Sequence, residues 1–427
     1  MALPDRALPD PALRASAPTG PTPLHLAVAL DGTGWHPASW RLPEAQPQGL
    51  LTAAYWADLV AEAERGLLDL VTIEDSLGLQ SSAPFEPDHR TDQVRGRLDA
   101  VLTAARIAPL SRHIGLVPTA TVTHTEPFHI SKAIATLDFV SSGRAGVRVQ
   151  VSGRADEAEL FGRRTLPPLT PQDIGRPDVQ ALIGQLFDEA ADYVEVLRRL
   201  WDSWEDDAEI RDAATGRFVD REKLHYIDFE GAAFSVKGPS ITPRPPQGQP
   251  LVAALGHQSV PYRLIARSAD LGFVTPHDAD QARAIVGGIR AEQAAAGRSH
   301  ETVHVFADLL VLLDDSPSAA VARRDRLDEL AGAALSSDAE VFTGTPAQLA
   351  DLLQEWQQAG LTGFRLRPAT LPHDLEQITR RLVPELQRRG AFRTAYEADT
   401  LRGLLGLPRP ESRYAAASAA ASATVPV

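Results

Sequence analysis

The residues best suited to chemistry sit where apolar runs give way to polar ones. DGTGWHPASWRLP, from Asp31 to Pro43, places His36 among Trp35, Trp40 and Arg41. A histidine there can act as acid or base because its pKa is easily moved across neutrality. It can equally order the loop by hydrogen bonding. LLDLVTIED ends in Glu74 and Asp75, adjacent carboxylates that serve proton chemistry or simply cap a following helix. A glycosidase needs a second well-placed acid, and no other strand end reads as one. Thr119, Thr121 and Thr123 alternate in PTATVTH, which puts uncharged hydroxyls on one face of a strand or reflects strand propensity. His300-Glu301-Thr302-Val303-His304 fits the H-E-x-x-H zinc pattern, but that pattern needs a helix. The string follows Gly297 and runs into VHVFADLLVLL, where the two imidazoles do not converge, so no metal site is expected. With no cysteine in the chain, thiolate catalysis and cysteine zinc sites are excluded.

Something must hold these groups together, and the alternation of short apolar runs with longer helical stretches suggests what. HLAVAL, LLDLVTIED, HIGLVPTATV and AGVRVQVS read as strands. LLTAAYWADLVAEAERG, TDQVRGRLDAVLTAARIA and PFHISKAIATLDFVSSG read as the helices between them. After an excursion over 153 to 179, a helix runs to Trp204, and PLVAALG, LGFVTP, VHVFADLLVLL and GFRLRP continue the strands. About eight strands with intervening helices predict a (β/α)8 TIM barrel, whose active site lies at the C-terminal ends of its strands. No G-x-G-x-x-G follows the first strand, against a dinucleotide-binding fold. Within an insertion at about 205 to 248, KLHYIDFEGAAFSVKG reads as a hairpin around Glu230-Gly231, and Pro239, Pro243, Pro245 and Pro246 enforce an extended exit.

A chain of 427 residues with 44% hydrophobic and 23% charged residues has the composition of a globular protein. Its net charge of -14 argues against nucleic acid or anionic lipid as partner and favours a small molecule. No run approaches a membrane span and no signal-peptide h-region is present, so a cytoplasmic location is expected. The Pro-rich residues 1 to 22 and the Ala/Ser tail 415 to 427 are expected to be mobile, leaving 23 to 414 as one barrel domain.

The insertion, together with HPASWR, TEPFHISKAIATLDFVSSGR and the closing TLRGLLGLPRPESRY, resembles the flavin-dependent monooxygenases of the bacterial-luciferase-like superfamily. The similar branch includes nitrilotriacetate and dibenzothiophene sulfone monooxygenases, and the likeness covers about residues 24 to 413. It implies a two-component enzyme in which a separate flavin reductase supplies reduced FMN. FMN and O2 then oxygenate a small organic substrate, with the protein excluding water and positioning the substrate. It also implies a homodimer or homotetramer.

The resemblance assigns His36 as the catalytic acid or base and places Asp75, Thr119 and Thr121 beside the flavin ring. Similar sequences carry G-W-N-x-V-T-S on the fourth strand; here Val147, Arg148 and Val151 take the Trp, Asn and Thr places, while Gly146 and Ser152 keep their type. A His and a Tyr that contact the flavin phosphate become Ile183 and Phe187, and Gly-Ser-Ser becomes Gly256-His257-Gln258. Gly256, His257 and Gln258 are the remaining phosphate candidates at a helix start. These departures leave two alternatives: a deazaflavin-dependent oxidoreductase on the same barrel, or a flavin-poor binding protein. Phe161, Phe218, Phe229 and Phe234, in the excursion and the insertion, suit an apolar or aromatic substrate at the entrance.

Overall fold

The computed structural model describes residues 23–83 and 85–414, so the two terminal segments expected to be mobile lie outside the described residues. Eight parallel strands close on themselves: β1 (His25–Leu30), β2 (Leu70–Ile73), β3 (Gly115–Thr121), β4 (Gly146–Gln150), β5 (Leu251–Gly256), β6 (Leu271–Val274), β7 (His304–Leu313) and β8 (Gly363–Pro368). Each pairs with its sequence neighbours, and β8 returns to β1. The expected (β/α)8 barrel is therefore present. An additional strand, Glu340–Gly344, lies outside the ring on the C-terminal half of β7.

Helices cover the outside: α1 (Ala53–Arg65), α2 (Ala100–Ile107), α3 (Pro127–Val140), the short α4 (Ala155–Phe161), α5 (Pro177–Asp202), α6 (Ser259–Ser268), α7 (Ala279–Ala295), α8 (Pro317–Ala331) and α9 (Pro346–Gln357). α2 is shorter than the helix expected from residue 91 onward. Gly96 takes a left-handed φ of 84°, and Asp99 accepts from the Leu102 N–H, a cap that starts the helix there. The insertion holds two hairpins, Glu209–Asp212 with Arg217–Val219 and Phe229–Glu230 with Ser235–Val236; the first was not expected. Among the described residues no helix is long and apolar enough to cross a membrane.

Strand side chains alternate between the helical shell and the barrel interior. Leu26, Val28 and Leu30 join the outer core. Ala27, Leu70, Val117, Leu251 and Phe306 form an inner cluster, which Leu401, Leu405 and Leu407 of the closing segment seal. Gly363 is required at this level, because a Cβ there would stand 2.5 Å from the His25 carbonyl oxygen and 2.7 Å from the Phe306 ring. Among the described residues the N-terminal end of the barrel interior is thus a packed core.

Asp270, on the turn into β6, ties this closed end together. It accepts from the Val252 N–H at 2.9 Å and from Arg198 at 3.0 Å, and lies 3.3 Å from Arg402. Burial alone would raise its carboxyl, but Arg198, Arg402 and the Val252 amide hold it down at about 2. A carboxylate depressed on folding contributes stability above its unfolded pKa and loses it as pH falls through the folded value. Asp270→Asn is therefore expected to cost about 2–3 kcal/mol at pH 7 and nearly nothing at pH 2, measured by urea unfolding across that range.

Candidate functional site

At the C-terminal end the same inward register turns from apolar to ionic. Arg148 on β4 donates to Thr119 Oγ1 at 2.9 Å, to Glu74 at 2.5 Å and to Gln150 at 3.1 Å. Glu74 also accepts from Arg365 at 3.1 Å, and Arg365 donates to Asp308 at 2.5 Å. Arg367 pairs with Asp308 and, at 2.6 Å, with Asp338. Three guanidinium groups and three carboxylates thus run as one neutral chain across the barrel axis. Arg148, Asp308, Arg365 and Arg367 are buried, at 3%, 0%, 0% and 1% exposure. The Arg365 guanidinium lies over the Phe273 ring at 4.1 Å and that of Arg367 over Trp35 at 4.6 Å, adding cation–π attraction in a dry setting.

Electrostatics keep the chain ionised. Burial would raise Glu74 and Asp308, but Arg148 and Arg365 on the first, and Arg365 and Arg367 on the second, hold both below the ordinary carboxylate range. Asp338, likewise penalised by burial, is pulled down to about 2 by Arg367. Of these six residues, the sequence reading singled out only Glu74 and Arg148, and neither for this pairing.

The structure places each expected site residue. His36 is buried, with Nδ1 accepting the Ala38 N–H at 3.1 Å. That fixes the tautomer, so Nε2–H donates to Asp328 at 3.1 Å. Burial lowers its pKa, only partly offset by the Asp328 hydrogen bond, so the ring is neutral at pH 7. Asp75 gives its carboxylate to the Ser76 and Ala100 amides at 2.8 and 2.9 Å, at the start of α2. Thr119 is bonded to Arg148 as above, and Thr121 is buried on the same strand. Ser152 receives the Arg154 N–H at 3.2 Å.

At the turn after β5, a Cβ on Gly256 would stand 2.9 Å from the Tyr262 ring, so glycine lets α6 pack closely here. His257 bonds Thr275 through Nδ1 at 2.9 Å and faces Asp338 at 3.6 Å; burial lowers its pKa, with Asp338 opposing. It belongs to the far end of the ionic chain. Gln258 is the N-cap of α6 and makes no side-chain capping bond. The Ser259 and Val260 amides therefore remain at an uncapped helix start, while Pro261 contributes no N–H. Ile183 and Phe187 lie on α5, both partly buried. In the H-E-x-x-H string His300 is exposed at the surface, whereas His304 is buried and bonded to the Leu405 carbonyl.

Beside this floor, joined to it through Trp35, lies a cavity of about 380 Å³ between the β1 loop, the β2–α2 loop and the chain after α8. The HPASWR string builds its walls: His36 reaches Asp328, Arg41 donates to the Leu330 carbonyl at 2.6 Å, and Trp40 to the Asp92 carbonyl at 3.0 Å. None of the four expected entrance phenylalanines lines it. Phe229 and Phe234 pack against Val196 and Leu200 of α5, Phe218 is exposed on its hairpin, and Phe161 stacks on His124 at 5.4 Å. The apolar entrance expected from them is not the lining of this cavity.

The donor set suits a flavin. Hydroxyls of Thr121 and Ser152 and the Gln150 amide match a ring edge of alternating N–H and C=O groups, and the open start of α6 matches a phosphate. Two buried polar atoms near this rim have no protein partner: His124 Nε2, after β3, and Glu157 Oε2, on α4.

Known proteins resemble this chain over most of its length. The family model described as luciferase-like monooxygenase matches residues 35–339. N-acetyl-S-(2-succino)cysteine monooxygenase of Bacillus subtilis (strain 168) is 32% identical, over 92% of this chain and 98% of its own. Nitrilotriacetate monooxygenase component A of Aminobacter aminovorans is 30% identical over the same shares. The crystal structure of long-chain alkane monooxygenase (LadA) superposes with a TM-score of 0.80 at 23% identity, over 91% of this chain and 96% of that one.

Because Asp308 neutralises two buried guanidinium groups, its loss strands both. Asp308→Ala is expected to destabilise the protein by about 3–5 kcal/mol, read as a shifted urea midpoint. Truncating the exposed Arg163 should cost less than about 1 kcal/mol.

Proposed function

The chain belongs to the luciferase-like monooxygenase family, and from that premise we propose that it is the oxygenating component of a two-component, FMN-dependent system acting on a small organic substrate. The observation that carries this reading is the polar floor and open helix start at the C-terminal end of the barrel, opposite the packed apolar plug. Reduced flavin, when bound, supplies the electrons that activate O2. The chain's own residues bind and orient: Thr121, Ser152 and Gln150 at the ring edge, and the Ser259 and Val260 amides with Gln258 at the phosphate. Asp75, Thr119, Gly256 and His257 support these contacts by fixing the α2 start, Arg148, the approach of α6 and Asp338 in turn. A flavin reductase is the partner that delivers reduced FMN.

Anaerobic titration with reduced FMN should give micromolar or tighter binding. Reoxidation of the bound flavin on mixing with O2 should then be slower than that of free flavin in the same buffer. Absence of binding sinks the FMN reading and favours a deazaflavin, tested by the same titration.

For His36 we propose a fixed, neutral role, since both ring nitrogens are engaged. His36→Asn should lower stability by about 1–3 kcal/mol and kcat/KM by less than about tenfold, leaving the pH profile of kcat unmoved. A fall of about a thousandfold in a folded variant, with loss of one limb of that profile, would instead make His36 the proton-transfer catalyst.

A further inference from the structure

The 380 Å³ cavity has a marked chemical asymmetry. One wall is the β2–α2 loop, which brings Arg90 and Arg95 to the lining together with Gln80, Ser81, Ser82 and Gln93. Arg90 holds Asp92 at 2.8 and 3.0 Å; Arg95 holds Asp88 at 2.5 Å and gives Nη1 to the Val94 carbonyl at 3.2 Å. Both acids belong to the same loop, so the guanidinium groups are fixed in the wall before any ligand arrives. A guanidinium offers five N–H donors, and neither arginine exhausts them on its partners. Two residues on, Arg97 pairs loosely with Asp31 at 3.3 Å, while its buried Nε has no partner.

The opposite, inner end is different. Trp35 lines the cavity there, with its ring backed by Arg367 of the axial chain. The one carboxylate in the lining, Asp31, is raised by burial, with Arg97 opposing and Glu74 adding. Asp31 is paired with Arg97 at 3.3 Å, so its charge is met within the protein. A guest without polar groups would strip water from the arginines, glutamines and serines without replacing their hydrogen bonds.

We propose that the substrate is a small carboxylate-bearing molecule, held by its carboxylate at Arg90 and Arg95 with its reacting atom turned inward toward Trp35. This rests on the monooxygenase reading for the reaction, but not for the binding. Arginine recognises a planar carboxylate through paired N–H donors, and the cavity lies at the small end of the range for ligand sites.

The test is calorimetric titration of the purified full chain, with and without reduced FMN under anaerobic conditions. The probes are thiodiglycolate, iminodiacetate and succinate, each alongside its dimethyl ester. At least one acid is expected to bind, with its ester weaker by about tenfold or more. Arg90→Gln and Arg95→Gln should each erase that preference at an unchanged Tm, whereas Arg163→Gln on the surface should keep it. Esters binding as tightly as acids, no acid binding, or the preference surviving in the double variant overturns the proposal. Flavin binding is read separately, so its failure counts against the monooxygenase reading while carboxylate binding still supports this one.

Discussion

Three arginines and three carboxylates share the barrel axis, and the order of the catalytic end depends on their pairing. A charge taken out of water is costly unless its partners are complete. Completeness here needs β2, β4, β7 and β8 in register at once, because Glu74, Arg148, Asp308 and Arg365 come from four strands. A slip of one residue on any of them would turn its charge outward. The apolar plug below, sealed by Leu401 and Leu405, does not discriminate register so sharply. The apolar plug closes one end of the barrel, while the paired charges fix strand register at the end where this architecture carries its chemistry.

The loops depend on the same frame. Trp35 rests on Arg367, and its indole N–H reaches the Ala29 carbonyl at 3.3 Å. From that anchor the next six residues clamp α8 through Asp328 and Leu330 and the β2–α2 loop through Asp92. The cavity is therefore built by tethering two long segments to the first strand. A histidine with both nitrogens committed fits this construction role, and its burial keeps it neutral while it does so.

The barrel was legible because a parallel strand covered on both faces is a nearly continuous apolar run, as HLAVAL and PLVAALG show. The family was legible from HPASWR and the third βα unit. The ionic chain was not, because its pairs join residues far apart in sequence: Arg365 and Glu74 are separated by 291 positions. A local signal did exist. GVRVQ, FADLL and GFRLRP each place a charge at an inward position between apolar neighbours, and a charge in a buried strand demands a partner. The late start of the expected second helix, beyond Gly96, and the role of Asp75 at that start were hidden for a different reason. Helical periodicity continues through residues whose backbone the turn chemistry has already claimed.

Arg148 shows how the departures from the family pattern belong together. Similar sequences place a neutral amide there, and a lone guanidinium in that spot would be an uncompensated buried charge. Glu74 compensates it, Arg365 compensates the second oxygen of Glu74, and the demand passes through Asp308 and Arg367 to Asp338. His257, facing Asp338, then stands where the pattern has a serine. The substitutions at the fourth strand and at the turn after the fifth are thus the two ends of one electrostatic arrangement. At the start of α6 this leaves backbone amides and Gln258 unengaged by the ionic chain, whose charge is gathered across the barrel axis.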